Sequence, residues 1–252
     1  MDNRKLTIAI ENKARNGKLI SKDTLFSLIE KETNINNKSR IYSVINKLCK
    51  DGTISKFNYS MYKVGNVLPS FQEKEIGEYT KLFDKEIISY DVAIWDSSWI
   101  AKYSHLLPTR NFIIFECYKY ATEHTINLLR SNGIKAIYYK DLDSIFDYLD
   151  DRTIFVIKNF NEDSPIYRSK KKKEGVQCTQ PKLEKMMVDF VADSFLDRIF
   201  SGEIVNIYRT LIENYNVNFS TLIRYATKRN KLDVVDNIIK KANPEIYKTF
   251  NL

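Results

Sequence analysis

Glycine, histidine and cysteine are all scarce in this sequence, and each scarcity argues against a class of protein. The 252 residues include only seven glycines and two histidines. There is no G-x-G-x-x-G or G-x-x-x-x-G-K-[ST] motif, which argues against a phosphate-binding loop. Cys49, Cys117 and Cys178 are too few and too far apart for a disulfide framework or a cysteine-rich zinc site. His105 and His124 have no neighbouring zinc ligand or triad partner and are predicted to lie at the surface or at a helix end.

Long apolar runs are also missing. The longest is only several residues, too short for a membrane-spanning helix, and Met1 precedes a charged segment rather than an apolar signal core. The composition, 43% hydrophobic and 29% charged, is typical of a globular chain. We therefore predict a reduced, cytoplasmic protein without a membrane partner, and no motif indicates a cofactor. Cys117 lies in an apolar run and is predicted to be a buried small hydrophobe.

The positive charge is concentrated at the N-terminal end. Residues 1–65 contain ten lysines and three arginines against six acidic residues, a net charge of +7. The whole chain carries +8, so the remaining residues are close to neutral. This asymmetry predicts a polyanionic partner for the N-terminal region alone.

Residues 37–63 predict a helix, a glycine stop and a two-stranded hairpin. Asn37 or Ser39 can cap the helix, Gly52 can supply the left-handed residue after it, and the hairpin turns at 58–60. One face of the helix is predicted to be buried because the apolar residues follow the i, i+3, i+4, i+7 spacing: Ile41, Val44, Ile45 and Leu48.

The segment before this helix completes the pattern of a known DNA-binding fold. A first helix over 3–15, a short strand at 19–20 and a second helix capped by Ser21 precede it. The order helix, strand, helix, helix, hairpin predicts a winged helix-turn-helix domain over residues 1–66. A generic three-helix bundle is the alternative, and the hairpin favours the winged version.

A winged helix would bind double-stranded DNA through the polar face of its third helix. Arg40 is best suited to reading a base, because its guanidinium matches O6 and N7 of guanine, and Asn46 could read adenine. The lysines are predicted to contact phosphates. Tyr42, like Tyr59, is of a type that more often packs than contacts a base. The predicted DNA-binding residues are Lys38, Ser39, Arg40, Tyr42, Ser43, Asn46, Lys47, Lys50, Lys56, Asn58 and Lys63.

The rest of the chain predicts a linker over residues 67–84 and an α/β domain over 85–252. Strands at 86–95, 111–118, 134–139 and 153–158 alternate with helices at 97–107, 120–131 and 141–149. This alternation predicts a mostly parallel sheet. An irregular stretch with a basic run at 168–173 follows, and a helix starting at Pro181 and continuing past Phe190 opens a C-terminal helical bundle. Its other helices are predicted at about 203–213, 219–229 and 231–241.

Charged residues at the predicted strand ends are the candidates for catalytic chemistry. They are Asp96, Glu116, Lys140, Asp141 and Lys158. Asp91, Glu116 and Lys119 resemble the two acids and the lysine of a Mg²⁺-dependent restriction-endonuclease-like nuclease. That pattern requires a lysine two residues after the acid, where this chain has Tyr118. We therefore predict a protein that is not an enzyme, with such a nuclease as the alternative.

Three phrases of the sequence resemble AbiEi-type antitoxin regulators. They are AIWDSSWIAKYSHLLPTRNFIIFE, PKLEKMMVDFVAD and NFSTLIRYATKRNK. AbiEi-type proteins are winged-helix regulators with a larger C-terminal domain, from bacterial type IV toxin–antitoxin systems of abortive infection, a form of phage defence. The resemblance, which covers most of the chain, implies a repressor that binds inverted repeats in its own promoter. It also implies an antitoxin that counters a nucleotidyltransferase-type toxin without binding it tightly. A DNA-tethered regulator with no toxin partner remains a second alternative.

Overall fold

A computed structural model describes residues 3–14, 19–65, 68–71, 77–84, 90–106, 108–149, 151–159, 163–167 and 177–250. The chain divides into two compact units, Met1–Ser70 with Asn214–Ser220, and Phe71–Glu213 with Thr221–Leu252. Within the described ranges, no helix is both long enough and apolar enough to cross a membrane. The basic run at 168–173 lies outside the described residues.

The first unit contains three helices and one small sheet. Its elements are α1 (Asn3–Lys13), β1 (Leu19–Ser21), α2 (Lys22–Thr33), α3 (Lys38–Lys50), β2 (Ile54–Lys56) and β3 (Met61–Val64). The sheet is antiparallel, with strand order β1-β3-β2. The predicted short strand at 19–20 is confirmed as β1, and its Ile20 pairs with Tyr62 of the hairpin.

Side-chain caps explain where the helices of the first unit begin. Ser21 Oγ accepts a hydrogen bond from Thr24 N at 3.1 Å. Asn37, rather than Ser39, caps α3, since its Oδ1 accepts from the backbone N–H groups of Ser39 and Arg40. Gly52 follows α3 with φ of 74°, as predicted. The buried core is aliphatic apart from Tyr62: Leu6, Ile10, Ile20, Leu25, Ile29, Ile41, Ile45, Leu48, Ile54 and Val64.

The second unit has a five-stranded sheet followed by helices. Up to the last strand its elements are α4 (Gly77–Phe83), β4 (Asp91–Asp96), α5 (Ser98–Ala101), β5 (Asn111–Cys117), α6 (Thr122–Ser131), β6 (Ala136–Tyr138), α7 (Tyr139–Ile145), β7 (Thr153–Asn159) and β8 (Gln177–Thr179). The helices that follow along the chain are α8 (Leu183–Ala192), α9 (Ser194–Phe200), α10 (Ile204–Asn214), α11 (Phe219–Lys228), α12 (Leu232–Ala242) and α13 (Pro244–Phe250). The strand order is β6-β7-β5-β4-β8, and every pairing is parallel except β4 with β5. The predicted mixed α/β class, with a mostly parallel sheet and several C-terminal helices, is confirmed.

The connection between β4 and β5 differs from the prediction. The helix predicted over 97–107 is the four-residue α5, and β5 returns antiparallel to β4. A parallel return needs a longer crossover, usually through a full helix. The predicted capping role of Ser97 is wrong, because its hydroxyl donates to Asn111 Oδ1 and accepts from Phe112 N instead. The oxygen nearest the start of α5 is that of Asp96, which accepts from Ser98 N at 2.7 Å.

Several details of the second unit differ from the predictions. The stretch predicted to be irregular contains β8, whose Cys178 pairs with Val92. Pro181 does not begin a helix but forms a bridge with Ile166, and α8 starts two residues later. The single helix predicted past Phe190 is broken at Asp193, which has an extended backbone. In the segment predicted as a linker, α4 buries Phe83 in the core of the second unit.

The two faces of the sheet have different partners. Alternate residues of β5, beginning with Ile113 and Phe115, share an apolar core with α4 and α6. The intervening residues face the opposite side, where Phe112 contacts Phe195 of α9 with ring centroids 5.0 Å apart. The period of two therefore places Glu116 on the α8–α9 side, in the interior of the unit.

Candidate functional site

The exposed face of α3 is entirely free of acidic side chains. Ile41, Ile45 and Leu48 are buried, and the predicted DNA-binding residues of the helix lie on the exposed remainder. These are Lys38, Ser39, Arg40, Tyr42, Ser43, Asn46, Lys47 and Lys50. The structure therefore brings four cationic side chains onto one helical surface. The Ser43 hydroxyl is the least available of the set, because it donates to Ser39 O at 3.1 Å.

The three predicted DNA contacts of the hairpin have different environments. Lys56 is exposed at the end of β2. Asn58 Oδ1 accepts hydrogen bonds from the backbone N–H groups of Ser60 and Met61, so this oxygen shapes the turn. Lys63 is half-buried on the central strand, and burial lowers its pKa. Lys56 is thus the most accessible of the three for a phosphate.

An aromatic cluster around Lys22 lies beside this surface and was not predicted. Lys22 Nζ is 5.3 Å from the ring centroid of Tyr42, 5.2 Å from that of Tyr59 and 5.8 Å from that of Phe26. Phe26 and Tyr42 also contact each other edge to face, at 5.1 Å. Tyr42 therefore packs in part, as expected of its type, whereas 76% of Tyr59 is exposed. We call Lys22, Phe26, Tyr42 and Tyr59 the Lys22 cluster.

The second unit contains a buried network of charges centred on α8. Glu116 Oε1 accepts from Lys185 Nζ at 2.5 Å and from Trp95 Nε1 at 2.7 Å. Lys185 Nζ also bonds Asp189 Oδ2 one turn along α8, at 2.5 Å. Glu116, Lys185 and Asp189 are completely buried.

The network extends from Asp189 to the sheet and to the C-terminal helices. Lys158 Nζ lies 3.1 Å from Asp189 and 2.5 Å from Asp193. Arg229 binds the same two carboxylates, at 2.5 and 2.7 Å. Tyr225 donates to Asp189 Oδ1 at 3.0 Å. The buried network therefore balances three cations, Lys158, Lys185 and Arg229, against three carboxylates, Glu116, Asp189 and Asp193.

The opposite charges around Asp189 and Lys185 favour their ionised forms in spite of burial. Burial opposes ionisation of Asp189, but Lys158, Lys185 and Arg229 outweigh it and lower the pKa of this carboxyl. Burial likewise disfavours the charged form of Lys185, while Asp189 and Glu116 raise its pKa well above the ordinary value. The buried network is thus a set of mutually neutralising charges, closed to any substrate that would have to reach Lys185 or Asp189 from solvent.

The strand-end candidates are only partly brought together. Glu116 and Lys158 are register partners on β5 and β7 and both belong to the buried network. Asp96 lies at the other end of the sheet, because β4 runs antiparallel to β5. Lys140 and Asp141 are exposed on α7.

The nuclease pattern is not assembled in this geometry. Glu116 is buried against Lys185, while Lys119 is exposed in a short 3₁₀ turn. Within the ranges that the structure describes, no three His, Cys, Asp or Glu side chains are arranged to hold a metal ion. His105 is exposed, as predicted, and His124 is half-buried against Tyr90.

Cys117 is confirmed as a buried thiol. It lies in the apolar core on the α6 side of the sheet, where no part of it is exposed to solvent. Burial raises its pKa, so the protonated thiol is the favoured form. This position agrees with the prediction of a small hydrophobe rather than a reactive cysteine.

The chain therefore has a small basic unit, which carries the exposed face of α3, and a mixed α/β unit, which contains the buried network of ion pairs. The chain belongs to a family of unknown function, DUF6577, whose model matches residues 40–245. No curated protein matches the chain.

Three segments of the chain, residues 93–116, 181–193 and 218–231, converge on the buried network. The first supplies Glu116, the second Lys185 and Asp189, and the third Tyr225 and Arg229. These three segments therefore contribute to the interior of the second unit. Sequence reasoning missed the network because its members come from distant segments.

Proposed function

We propose that the first unit is a winged helix that binds double-stranded DNA, and that the protein represses its own promoter. The observation that carries the proposal is the exposed face of α3, with four cationic side chains and no acid. The order of helices and strands, with the hairpin of β2 and β3 directly after α3, supports the winged arrangement. The +7 charge of residues 1–65 supports a polyanionic partner.

The residues of α3 divide into two roles under this proposal. Arg40 and Asn46 present the fork and the amide that match guanine and adenine edges in the major groove. Lys38, Lys47 and Lys50 contact phosphates, which supply affinity without sequence information. Lys56 extends the phosphate contacts to the hairpin. These roles allow base reading and backbone binding to be separated by substitution.

Two substitutions on α3 should separate these roles. Arg40→Ala is expected to lose discrimination between promoter and random DNA by about 1–3 kcal/mol, because a bidentate base contact is removed. Lys50→Ala should weaken binding to both DNAs alike and reduce the salt slope by about 1, because one phosphate contact is lost. Fluorescence anisotropy at several salt concentrations measures both effects.

Lys31→Ala is the matched control and should bind as wild type does, because Lys31 is an exposed lysine of α2 that is not among the predicted DNA contacts. The repressor proposal fails if the wild-type protein binds its promoter with inverted repeats no better than random DNA.

We further propose that the second unit acts as the antitoxin against a nucleotidyltransferase-type toxin. The support is the resemblance of the three phrases, all of which lie in or border this unit. Under this proposal the toxin is countered without tight binding, and the protein has no catalytic role of its own. A plain regulator without a toxin partner is the competing proposal.

Co-expression with a nucleotidyltransferase-like neighbouring gene tests the antitoxin proposal. The neighbour alone should arrest growth, and this protein should restore it, while a tagged copy retains little of the neighbour on a column. Arg40→Ala should still restore growth, because it removes DNA reading only. Persistent arrest in the presence of well-folded wild-type protein would favour the plain regulator.

A further inference from the structure

The tip of the hairpin is tied to α2 by two kinds of contact. The backbone N–H of Lys22 donates to Ser60 O at 2.7 Å. The side chain of the same residue places its ammonium over the ring of Tyr59, at 5.2 Å from the centroid. Lys22 directly follows Ser21, the capping residue of α2, so the ammonium extends from a fixed backbone. Both contacts to the hairpin tip are therefore made by one residue outside the hairpin.

The same ammonium also contacts α3. Lys22 Nζ lies over the ring of Tyr42, and Phe26 supports that ring from α2. A hydrogen bond with the Tyr42 side chain raises the pKa of Lys22, so this contact favours the charged ammonium. The Lys22 cluster thus joins α2, α3 and the hairpin through one cation.

We propose that Lys22, Tyr42 and Tyr59 form one DNA-contacting surface, in which Lys22 is the positioning residue and the two tyrosine hydroxyls contact phosphates. The inference rests on the proposed DNA-binding function and deepens it. Tyrosine hydroxyls are among the groups that bind phosphates and fix the register of a protein on the duplex. Tyr59 is suited to this role because most of it is exposed, at the turn of the hairpin that also carries the exposed Lys56.

Lys22 is needed because the ring of Tyr59 is mostly exposed at a turn. A cation over the face of a tyrosine ring attracts it, so Lys22 restricts the positions available to Tyr59 before DNA arrives. Restricting a contact residue in advance lowers the entropy lost on binding. Removing Lys22 should therefore weaken the contribution of Tyr59, and not only remove one positive charge.

A double-mutant cycle on promoter DNA tests this coupling. Tyr59→Phe, which keeps the ring and loses the hydroxyl, should weaken promoter binding about fivefold to tenfold, which is within the range of a single protein hydrogen bond. Lys22→Met should weaken it by a similar factor. In the Lys22→Met background, Tyr59→Phe should cost about twofold or less, because the hydroxyl is no longer positioned. Lys22→Arg, which keeps a cation over the rings, should restore most of the affinity.

The outcomes separate this inference from the proposed function. Independent, fully additive losses would show Lys22 to be an ordinary phosphate-contacting charge and would overturn the inference alone. Wild-type affinity of Tyr59→Phe, which at so exposed a site cannot unfold the protein, would overturn it as well. A wild-type protein without preference for its promoter would instead overturn the DNA-binding proposal itself. Thermal unfolding of each variant shows whether a loss of affinity comes from lost folding.

Discussion

Lys185→Met is expected to destabilise the protein by about 3–5 kcal/mol, because removing one partner of a buried ion pair leaves an uncompensated buried charge. Methionine keeps most of the side-chain volume, so the loss reports on charge rather than on packing. The variant removes the cation that pairs with Glu116 and deprives Asp189 of one of its cations. Glu116 Oε2 already has no hydrogen-bond partner among the described residues. Urea unfolding of the full-length protein, followed by circular dichroism, measures the change.

An exposed ion pair of the same unit provides the matched control. Lys228 Nζ lies 3.0 Å from Asp163, and more than half of each side chain is exposed. Lys228→Met should therefore cost less than about 1 kcal/mol. The double variant Lys185→Met with Glu116→Gln should recover part of the lost stability. Glu116→Gln removes the buried negative charge that Lys185→Met leaves unpaired. Equal effects of Lys185→Met and Lys228→Met would contradict a stabilising role for the buried network.

Local patterns were sufficient to predict most of the first unit. The apolar spacing along α3, the Asn37 cap and the positive φ at Gly52 all depend on residues close together in sequence. The hairpin follows directly from the segment after α3. Such features can be predicted because helix periodicity, caps and turns are determined within a few residues.

The second unit was harder to predict because its decisive contacts join distant segments. Glu116 and Lys185 are 69 positions apart, and no local pattern pairs them. One signal was present, however: α8 is apolar on nearly every side of Lys185 and Asp189. A helix that is hydrophobic all round is buried, so its three charged residues, Glu184, Lys185 and Asp189, must find partners. The antiparallel return of β5 and the short polar strand β8 had no comparable signal.

The α3 surface could be predicted and the Lys22 cluster could not, for a related reason. Residues such as Arg40 and Lys47 share one helix, and the helical period alone places them on its exposed face. Lys22, Tyr42 and Tyr59 come from three elements, and their contact depends on how the hairpin tip meets the start of α2. The sequence therefore identifies individual candidate DNA-binding residues such as Tyr42. It does not identify the contacts with Lys22 that position them.

Asp189→Asn should change how stability depends on pH as well as its value at neutral pH. Although burial alone would raise the pKa of Asp189, Lys158, Lys185 and Arg229 lower it below the value of an unfolded chain, about 4. A lowered pKa means that the unfolded state takes up a proton first as the pH falls. The stabilisation by ionised Asp189 is therefore fully present above about pH 5 and is lost progressively below about pH 4.

The difference in unfolding free energy between wild type and Asp189→Asn should consequently be largest at pH 7, at about 3–5 kcal/mol, and should shrink as the pH approaches 2. Urea unfolding at a series of pH values measures this difference directly. Asp197→Asn, at an exposed position on the neighbouring helix α9, is the control and should follow the wild-type curve closely. A difference that stays constant from pH 7 to pH 2 would mean that the substitution disturbs packing alone. A difference that shrinks as the pH falls would show that the stabilisation depends on the ionisation of Asp189. Protonation of Asp189 leaves the charges of Lys158, Lys185 and Arg229 less well compensated.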